Sequence, residues 1–374
     1  MQNQRYLFID IFRFIAILFM VEGHIVEALL HPSLKQTFVF TIHDFFHGFT
    51  APVFLFTSGA AFGFSTLRKW EEHRTLNKKV LRRIVRYCGI LLFGYALHLP
   101  YFSFSKSITE SSPQEIAAFF QVDVLHCIAI TLLIAQLLIL FIPTKKIYNS
   151  FIGIFIILIV FFAPFLWSIS LKNFFPLWFS SYLNAENSWF PLFPYAVYIF
   201  SGFFFAWIFL KTEKKEIFTV YTLIFGILAI LIAIIFLYLP VTFYPPHDIW
   251  KANPSIFFLR IGGISIILFS LLYFLPKIKI SLHIPSIIGK ESLFIYILHL
   301  ILIYGTVVNK GVKIYYGQNF SWSECTGIFF LFFAIIAVCA YVWNYLKQQN
   351  KKISLALQWG GIMIFLFYFF TRSY

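Results

Sequence analysis

The chain has 374 residues, of which 60% are hydrophobic and 12% are charged, and its formal net charge is +14. A soluble domain carries roughly twice that charged fraction, and apolar runs of bilayer length recur along the whole chain, so the composition excludes a soluble protein and predicts a helical membrane protein. Alternating segments of the outer-membrane-barrel type do not occur, and the four cysteines lack the spacing of a disulfide framework or a zinc ribbon.

Apolar segments predict an all-α polytopic transmembrane bundle of about 11 spans, forming one domain over residues 1–374. In chain order the spans are predicted at 7–30, 42–66, 87–104, 124–142, 148–170, 193–210, 218–240, 256–275, 290–307, 326–346 and 356–371. The first follows Arg5 as a signal peptide would, but no small-residue cleavage site follows it, so we expect a retained span.

Basic residues indicate the orientation. Most of the 29 lysines and arginines lie in alternate connecting segments, and the richest run, 67–86, includes Arg82, Arg83 and Arg86. The positive-inside rule therefore predicts a cytoplasmic N-terminus. The net positive charge is then explained by the orientation of the chain in the membrane, and no nucleic-acid partner is expected. The run is either an orientation signal only or a landing site for a phosphate-rich cytoplasmic ligand; no Walker or GxGxxG motif accompanies it.

Charged and imidazole side chains interrupt the first span. At 100° per residue, five fall within a stripe of about 100°: Asp10, Arg13, His24, Glu27 and His31. Such a stripe is predicted to face the bundle interior or a water-filled cavity, because polar groups are costly in lipid. His24 lies about 21 Å along the axis from Asp10, near the outer end.

Glu22 lies off this stripe. Two residues of the stripe also allow a structural interpretation. Asp10 and Arg13, three residues apart, can form an ion pair that only holds spans together.

Further polar residues are predicted at the outer ends of the first spans. They are His43, Asp44 and His47 in the second span, His98 in the third, and Asp123 and His126 at the start of the fourth. His299 lies near the middle of the ninth. Imidazoles and carboxylates are thus expected to converge on the outer side of spans 1 to 4. Each histidine alone has a simpler interpretation, in which a side chain at a helix end extends to the lipid headgroups.

A metal site at His43 and His47 is a weaker interpretation. Zinc needs three or four ligands, and the segment lacks the glutamate of HExxH. No metal is expected.

Several segments resemble the heparan-α-glucosaminide N-acetyltransferase family and its bacterial relatives. They are RYLFIDIFRFIAILFMVEGH (Arg5 to His24), HDFFHGFTAPVFLFTSGAAF, KKVLRRIVRYCGILL, FQVDVLHCIAITLL, PLFPYAVYIFSGFFFA and GKESLFIYILHLILI. The ordered set is densest over 5–140. One departure is Phe14, where the family has Gly after the arginine. The wider membrane-acyltransferase superfamily shares the Arg…His first span.

The resemblance implies an acyl-CoA-dependent transmembrane acyltransferase that takes acetyl from cytoplasmic acetyl-CoA and delivers it to an amino sugar or glycan outside. The family's active histidine corresponds to His24. On this hypothesis His24 is the base or the acyl carrier, with Glu27 and Asp123 orienting or charge-stabilising it.

The remaining polar residues receive roles on the same hypothesis. Acceptor or oxyanion contacts are expected from His43, Asp44, His47, His98, His126 and His299. Contacts to the acyl donor acetyl-CoA are expected from Asp10, Arg13, Arg82, Arg83 and Arg86.

Two other function classes stay open at this point. One is a transporter or flippase of a polar or lipid-linked sugar, although the repeated halves of many transporters are not visible. The other is a metal-dependent intramembrane hydrolase built on His43 and His47. A bacterial inner membrane is expected as the location, with membrane lipids as partners; a homo-oligomer is compatible with the sequence.

Overall fold

The computed structural model describes residues 6–184, 187–239 and 243–372, and most of these residues lie in helices. The α-helices in chain order are α1 (Leu7–Leu29), α2 (Phe38–His47), α3 (Thr50–Leu67), α4 (Trp70–His73), α5 (Lys78–Leu97), α6 (Phe104–Thr109), α7 (Pro113–Phe119), α8 (Val124–Phe141), α9 (Lys145–Trp167), α10 (Leu177–Leu183), α11 (Leu192–Lys211), α12 (Lys215–Tyr238), α13 (Ile249–Ala252), α14 (Pro254–Phe274), α15 (His283–Lys290), α16 (Ser292–Ile303), α17 (Val312–Tyr316), α18 (Trp322–Gln349) and α19 (Lys351–Thr371). Strands β1 (Gly305–Thr306) and β2 (Asn309–Lys310) pair antiparallel. The prediction of an all-α membrane protein is confirmed.

Long apolar helices account for this class. Among the described residues, 8 helices are long and apolar enough to cross a membrane, or up to 9 if the bent pair α15 and α16 is one span. Helices α1 and α5 have 23 and 20 residues, but they carry several charged side chains. The count of about 11 spans and the cytoplasmic N-terminus stay predictions.

The chain forms two compact units from interleaved segments. Unit 1 comprises Met1–Thr50, Leu99–Ile116 and Lys279–Tyr374, and unit 2 comprises Ala51–His98 and Ala117–Ile278. The single domain expected from the sequence stays a prediction.

In unit 1, helix α1 packs against α15, α16 and α18. Gly289 permits the closest approach, since a Cβ there would lie 1.9 Å from the Asp10 carbonyl oxygen. The ring of Phe14, which replaces the family's glycine, meets that of Phe333 on α18 edge-on at 6.2 Å. In unit 2, α5 packs on α8, α9 on α11, and α12 on α14.

Three predicted boundaries are corrected. The predicted second span starts at residue 42, whereas α2 begins at Phe38 and ends at His47, so the HDFFH segment belongs to α2. The third predicted span starts at residue 87, but α5 begins at Lys78, because the side chain of Asn77 accepts hydrogen bonds from the backbone N–H groups of the first turn. His31 lies beyond the end of α1 and therefore off the helical stripe.

The ninth predicted span, 290–307, is corrected at both ends, because its helix is α16, from Ser292 to Ile303, and strand β1 follows at Gly305. Helices α15 and α16 meet at Glu291 with a bend of 73°. The buried Glu291 carboxylate accepts hydrogen bonds from Asn344 Nδ2 at 2.7 Å and Lys347 Nζ at 2.5 Å, both on α18. A buried charge needs such partners, and this long-range pairing is invisible in the local pattern.

Candidate functional site

His24 on α1 is surrounded by three rings within unit 1. Its ring centroid lies 5.1 Å from that of His299, 5.6 Å from that of Tyr304 and 5.9 Å from that of His47. Its Nδ1 lies 3.1 Å from the Tyr304 hydroxyl, which also donates to the His24 carbonyl oxygen at 3.5 Å. Tyr304 therefore holds both the ring and the backbone of His24.

Next to this group, α2 contributes a second pair of imidazoles. The rings of His43 and His47 stack with centroids 6.1 Å apart and planes inclined by 8°. His43 Nε2 donates to the Glu22 carboxylate at 2.8 Å. The ring of His47 sits on Gly23, where a Cβ would lie 2.0 Å from Nδ1. Adjacent residues on α1 thus hold both histidines of α2.

A cavity of about 410 Å³ opens beside these pairs and is lined by Phe19, Glu22, His43, Phe46 and His47. That volume is within the usual range for a small-molecule site, roughly 300–1,000 Å³. Its lining residues include one carboxylate and two imidazoles, but the surface that they present to the cavity is almost entirely apolar.

Three buried ring nitrogens of this group have no hydrogen-bond partner among the described residues: His43 Nδ1, His47 Nδ1 and His299 Nε2. His299 Nδ1 donates to the Ile295 carbonyl oxygen at 2.9 Å, so its Nε2 carries the free lone pair. Each unsatisfied buried polar atom costs about 1–3 kcal/mol. Such atoms call for a ligand or water.

A second cluster lies in unit 2. The Asp123 carboxylate caps α8 and accepts a hydrogen bond from His126 Nδ1 at 2.7 Å. The His98 ring lies 5.7 Å from that of His126. Burial alone would raise the pKa of the Asp123 carboxyl, but the hydrogen bond and charge of His126, together with His98, lower it below its usual range.

The predicted cofactor residues occupy different surroundings. Arg83 donates to Thr66 and Gln136 through Nη1, at 2.8 and 3.1 Å, and to Ser65 through Nη2 at 2.8 Å. That guanidinium is engaged within unit 2.

The other predicted cofactor residues fall into two groups. Arg82 and Arg86 are exposed on α5. Asp10 is buried on α1, where Ser286 Oγ donates to Oδ2 at 3.4 Å, and Arg13 is partly exposed on the same helix.

Seven of the predicted site residues form two clusters. In unit 1 the structure brings together His24, His43, His47 and His299; in unit 2 it brings together His98, Asp123 and His126. Glu27 is largely exposed and pairs with Lys35 at 3.0 Å, and Asp44 is exposed on α2.

Sequence reasoning missed two members of the unit 1 site. Glu22 was placed off the polar stripe, yet it holds His43; an intramembrane carboxylate was itself the signal. Tyr304 follows α16, 280 residues after His24, and no local pattern marks it.

The chain matches a family model described as an acyltransferase domain over residues 6–344. It therefore belongs to this acyltransferase family. The match supports the wider membrane-acyltransferase superfamily, not the narrower heparan-α-glucosaminide N-acetyltransferase family. No curated protein matches the chain.

Proposed function

We propose that this membrane acyltransferase transfers an acetyl group from cytoplasmic acetyl-CoA to a hydroxyl or amine of an amino sugar or glycan on the outer side of a bacterial inner membrane. The observation that carries the proposal is His24 itself, a partly buried imidazole held by Tyr304 among three aromatic rings. Family membership supports the acyl-transfer chemistry. The donor, the acceptor and the membrane rest on the sequence resemblance and the charge pattern.

The contacts of Tyr304 favour one tautomer of His24. The Tyr304 hydroxyl donates its proton to the His24 carbonyl oxygen, so its oxygen is free to accept from Nδ1–H. The Nε2 lone pair is then available as a base. An imidazole suits this task because its ordinary pKa lies near neutral pH.

In the simplest scheme, Nε2 takes the proton of the acceptor hydroxyl or amine as the acceptor attacks the thioester carbonyl. The carbon–sulfur bond breaks, and the CoA thiolate leaves and receives that proton. In the carrier scheme, Nε2 attacks the thioester carbonyl, the carbon–sulfur bond breaks and the CoA thiolate leaves. The acceptor then attacks the acetyl carbonyl, the bond from that carbon to Nε2 breaks, and the acceptor's proton passes to the thiolate. Both schemes need His24 and a neighbouring acceptor pocket.

The cavity beside His43 and His47 supplies that pocket. Glu22 accepts from His43 Nε2, which leaves His43 Nδ1 as a hydrogen-bond acceptor facing no partner among the described residues. His47 Nδ1 lies against Gly23, where an added Cβ would be 2.0 Å away, so it does not add a second acceptor. A single acceptor at His43 suits a hydroxyl or amine hydrogen of a sugar. The rings of Phe19 and Phe46, which line the cavity, offer an apolar surface for a sugar ring.

The donor side rests on charge. Exposed Arg82 and Arg86 on α5 are suited to the phosphates of CoA, since arginine forms bidentate hydrogen bonds to phosphate. The guanidinium of Arg83 already donates hydrogen bonds within unit 2, so Arg83 is expected to hold α5 in place and not to bind CoA.

The test is acetyl-CoA turnover by the purified full-length protein in detergent, with and without glucosamine. CoA release and labelled acetyl-sugar are measured together for wild type, His24→Ala and His283→Ala. His283 is exposed at the start of α15, so it is a matched control in the same unit. Acceptor-dependent turnover that is lost only in His24→Ala is the expected result.

Other outcomes are equally informative. Label that stays on wild-type protein without acceptor, but not on His24→Ala, indicates the carrier scheme. Turnover with another acyl-CoA but not acetyl-CoA corrects the donor. A folded protein that neither binds nor turns over any acyl-CoA overturns the proposal and favours a sugar transporter in which His24 lines the path.

A further inference from the structure

We infer that His299 binds the acyl donor by accepting a hydrogen bond from the amide N–H that lies nearest to the thioester in the pantetheine arm of CoA. This inference rests on the proposed acyl transfer, because it assigns a further residue to the same site. The side chain of His299 is fully buried at 0% exposure, and its Nε2 has no hydrogen-bond partner among the described residues. A buried polar atom of this kind calls for a ligand or water.

The bond at the other ring nitrogen determines what Nε2 can do. His299 Nδ1 donates to the Ile295 carbonyl oxygen at 2.9 Å, one turn earlier on α16. Because burying a charged imidazole is costly, the fully buried ring is neutral, and Nε2 carries a lone pair. Nε2 therefore accepts a hydrogen bond, and in this tautomer it does not donate one to an oxyanion, a role that the sequence left open for His299.

The lone pair of Nε2 lies beside the proposed catalytic base. Because Nδ1 points back along α16, Nε2 is at the edge of the ring that faces away from its own helix, and α16 packs against α1. The ring centroid of His299 lies 5.1 Å from that of His24 on α1, with the planes inclined by 44°. A molecule that reacts at His24 can therefore also contact His299.

The position of His299 along α16 favours the donor over the acceptor. His299 is not one of the described residues that line the acceptor cavity. Tyr304, which holds His24, follows His299 by five residues, or about 7 Å along the helix axis. The start of α16 is on the predicted cytoplasmic side, so a donor that enters from the cytoplasm meets His299 before it reaches Tyr304 and His24.

The donor carries a group that suits this acceptor atom. In CoA the sulfur is followed by two methylene groups and then by an amide N–H. Four single bonds separate the thioester carbonyl carbon from that nitrogen, which at about 1.5 Å per bond gives a reach of about 5 Å. This reach matches the 5.1 Å between the rings of His24 and His299. The thioester can thus react at His24 while the amide N–H donates to His299 Nε2.

The experiment compares acetyl-CoA with an analogue in which an ester oxygen replaces this amide N–H. With full-length protein in detergent and saturating glucosamine, kcat/KM is measured for each donor with wild type, His299→Phe, His299→Gln and the exposed control His283→Phe. Phenylalanine keeps a ring beside His24 but removes the acceptor atom, whereas glutamine can present an oxygen near the position of Nε2. The ratio of the two donors within one variant cancels any general loss of activity or folded protein.

Wild type and His283→Phe are expected to favour acetyl-CoA about 10- to 100-fold, because the ester leaves the buried Nε2 unpaired. His299→Phe should use the two donors within about twofold of each other, and His299→Gln should retain part of the preference. Equal use of both donors by wild type overturns the inference. A full preference in His299→Phe also overturns it, since another group then binds the amide.

Failure of the proposed acetyl transfer gives a different result. If wild type binds the donors but turns over neither, acetyl transfer to glucosamine is overturned, and the ratio of the two donor affinities in wild type and His299→Phe tests the role of His299 in the same way. A folded wild-type protein that neither binds nor turns over either donor overturns the proposed function and this inference together.

Discussion

Replacing Tyr304 with Phe removes one hydroxyl and keeps the ring that packs against His24. That hydroxyl lies 3.1 Å from His24 Nδ1 and donates to the His24 carbonyl oxygen at 3.5 Å. Its loss leaves the buried Nδ1–H without an acceptor, which costs about 1–3 kcal/mol. If the imidazole is the base, kcat falls about 5- to 150-fold, since each ~1.4 kcal/mol is a factor of ten.

The assay separates orientation of the base from acceptor binding. Steady-state turnover is measured over acceptor concentration for wild type, Tyr304→Phe and Tyr315→Phe, whose side chain is exposed at 69%. We expect Tyr304→Phe to lower kcat with KM for the acceptor nearly unchanged, and Tyr315→Phe to match wild type. A Tyr304→Phe enzyme with wild-type kcat would refute the proposed role of this hydroxyl in orienting His24.

Three further predictions concern packing, the acceptor pocket and acid stability. Gly289→Ala is expected to destabilise the chain by about 1–3 kcal/mol through overpacking. The control Gly360→Ala, where an added Cβ meets nothing within 4 Å, should leave the midpoint of thermal unfolding unchanged or slightly higher. Equal midpoints for Gly289→Ala and Gly360→Ala would contradict the close contact at Gly289. Glu22→Gln should lower kcat/KM for the acceptor about tenfold, because it weakens the hydrogen bond to His43. Glu27→Gln should change kcat/KM less than twofold. The reverse order in kinetic assays would make Glu27 the functional carboxylate. Burial, with the charge of a nearby arginine, lowers the pKa of His73 to about 4. Below pH 6.5 the folded chain therefore binds fewer protons than the unfolded chain. The free energy of unfolding that is present above pH 6.5 is lost as the pH falls towards 4. His73→Gln should lose less stability than wild type over that interval in thermal unfolding, and parallel curves would exclude this linkage.

Local patterns were sufficient for the class of the protein and for most helices. Apolar runs predicted 124–142 and 193–210, and the structure has helices at Val124–Phe141 and Leu192–Lys211. These predictions succeed because a backbone inside a membrane must satisfy its own hydrogen bonds, which leaves helices as the solution for long apolar segments. The cost of polar groups in lipid likewise singled out His24 and the HDFFH segment as candidates.

The partners of those candidates depend on contacts between distant parts of the chain. Glu22, not Glu27, holds an imidazole, and the 73° bend at Glu291 lies between α15 and the helix that carries His299. Tyr304 reaches His24 across 280 residues. Helical periodicity places residues on faces of their own helix, but which helices meet, and at what rotation, is decided by packing over the whole unit. For this reason the residue types of the site could be predicted from the chain, whereas their hydrogen bonds required the folded structure.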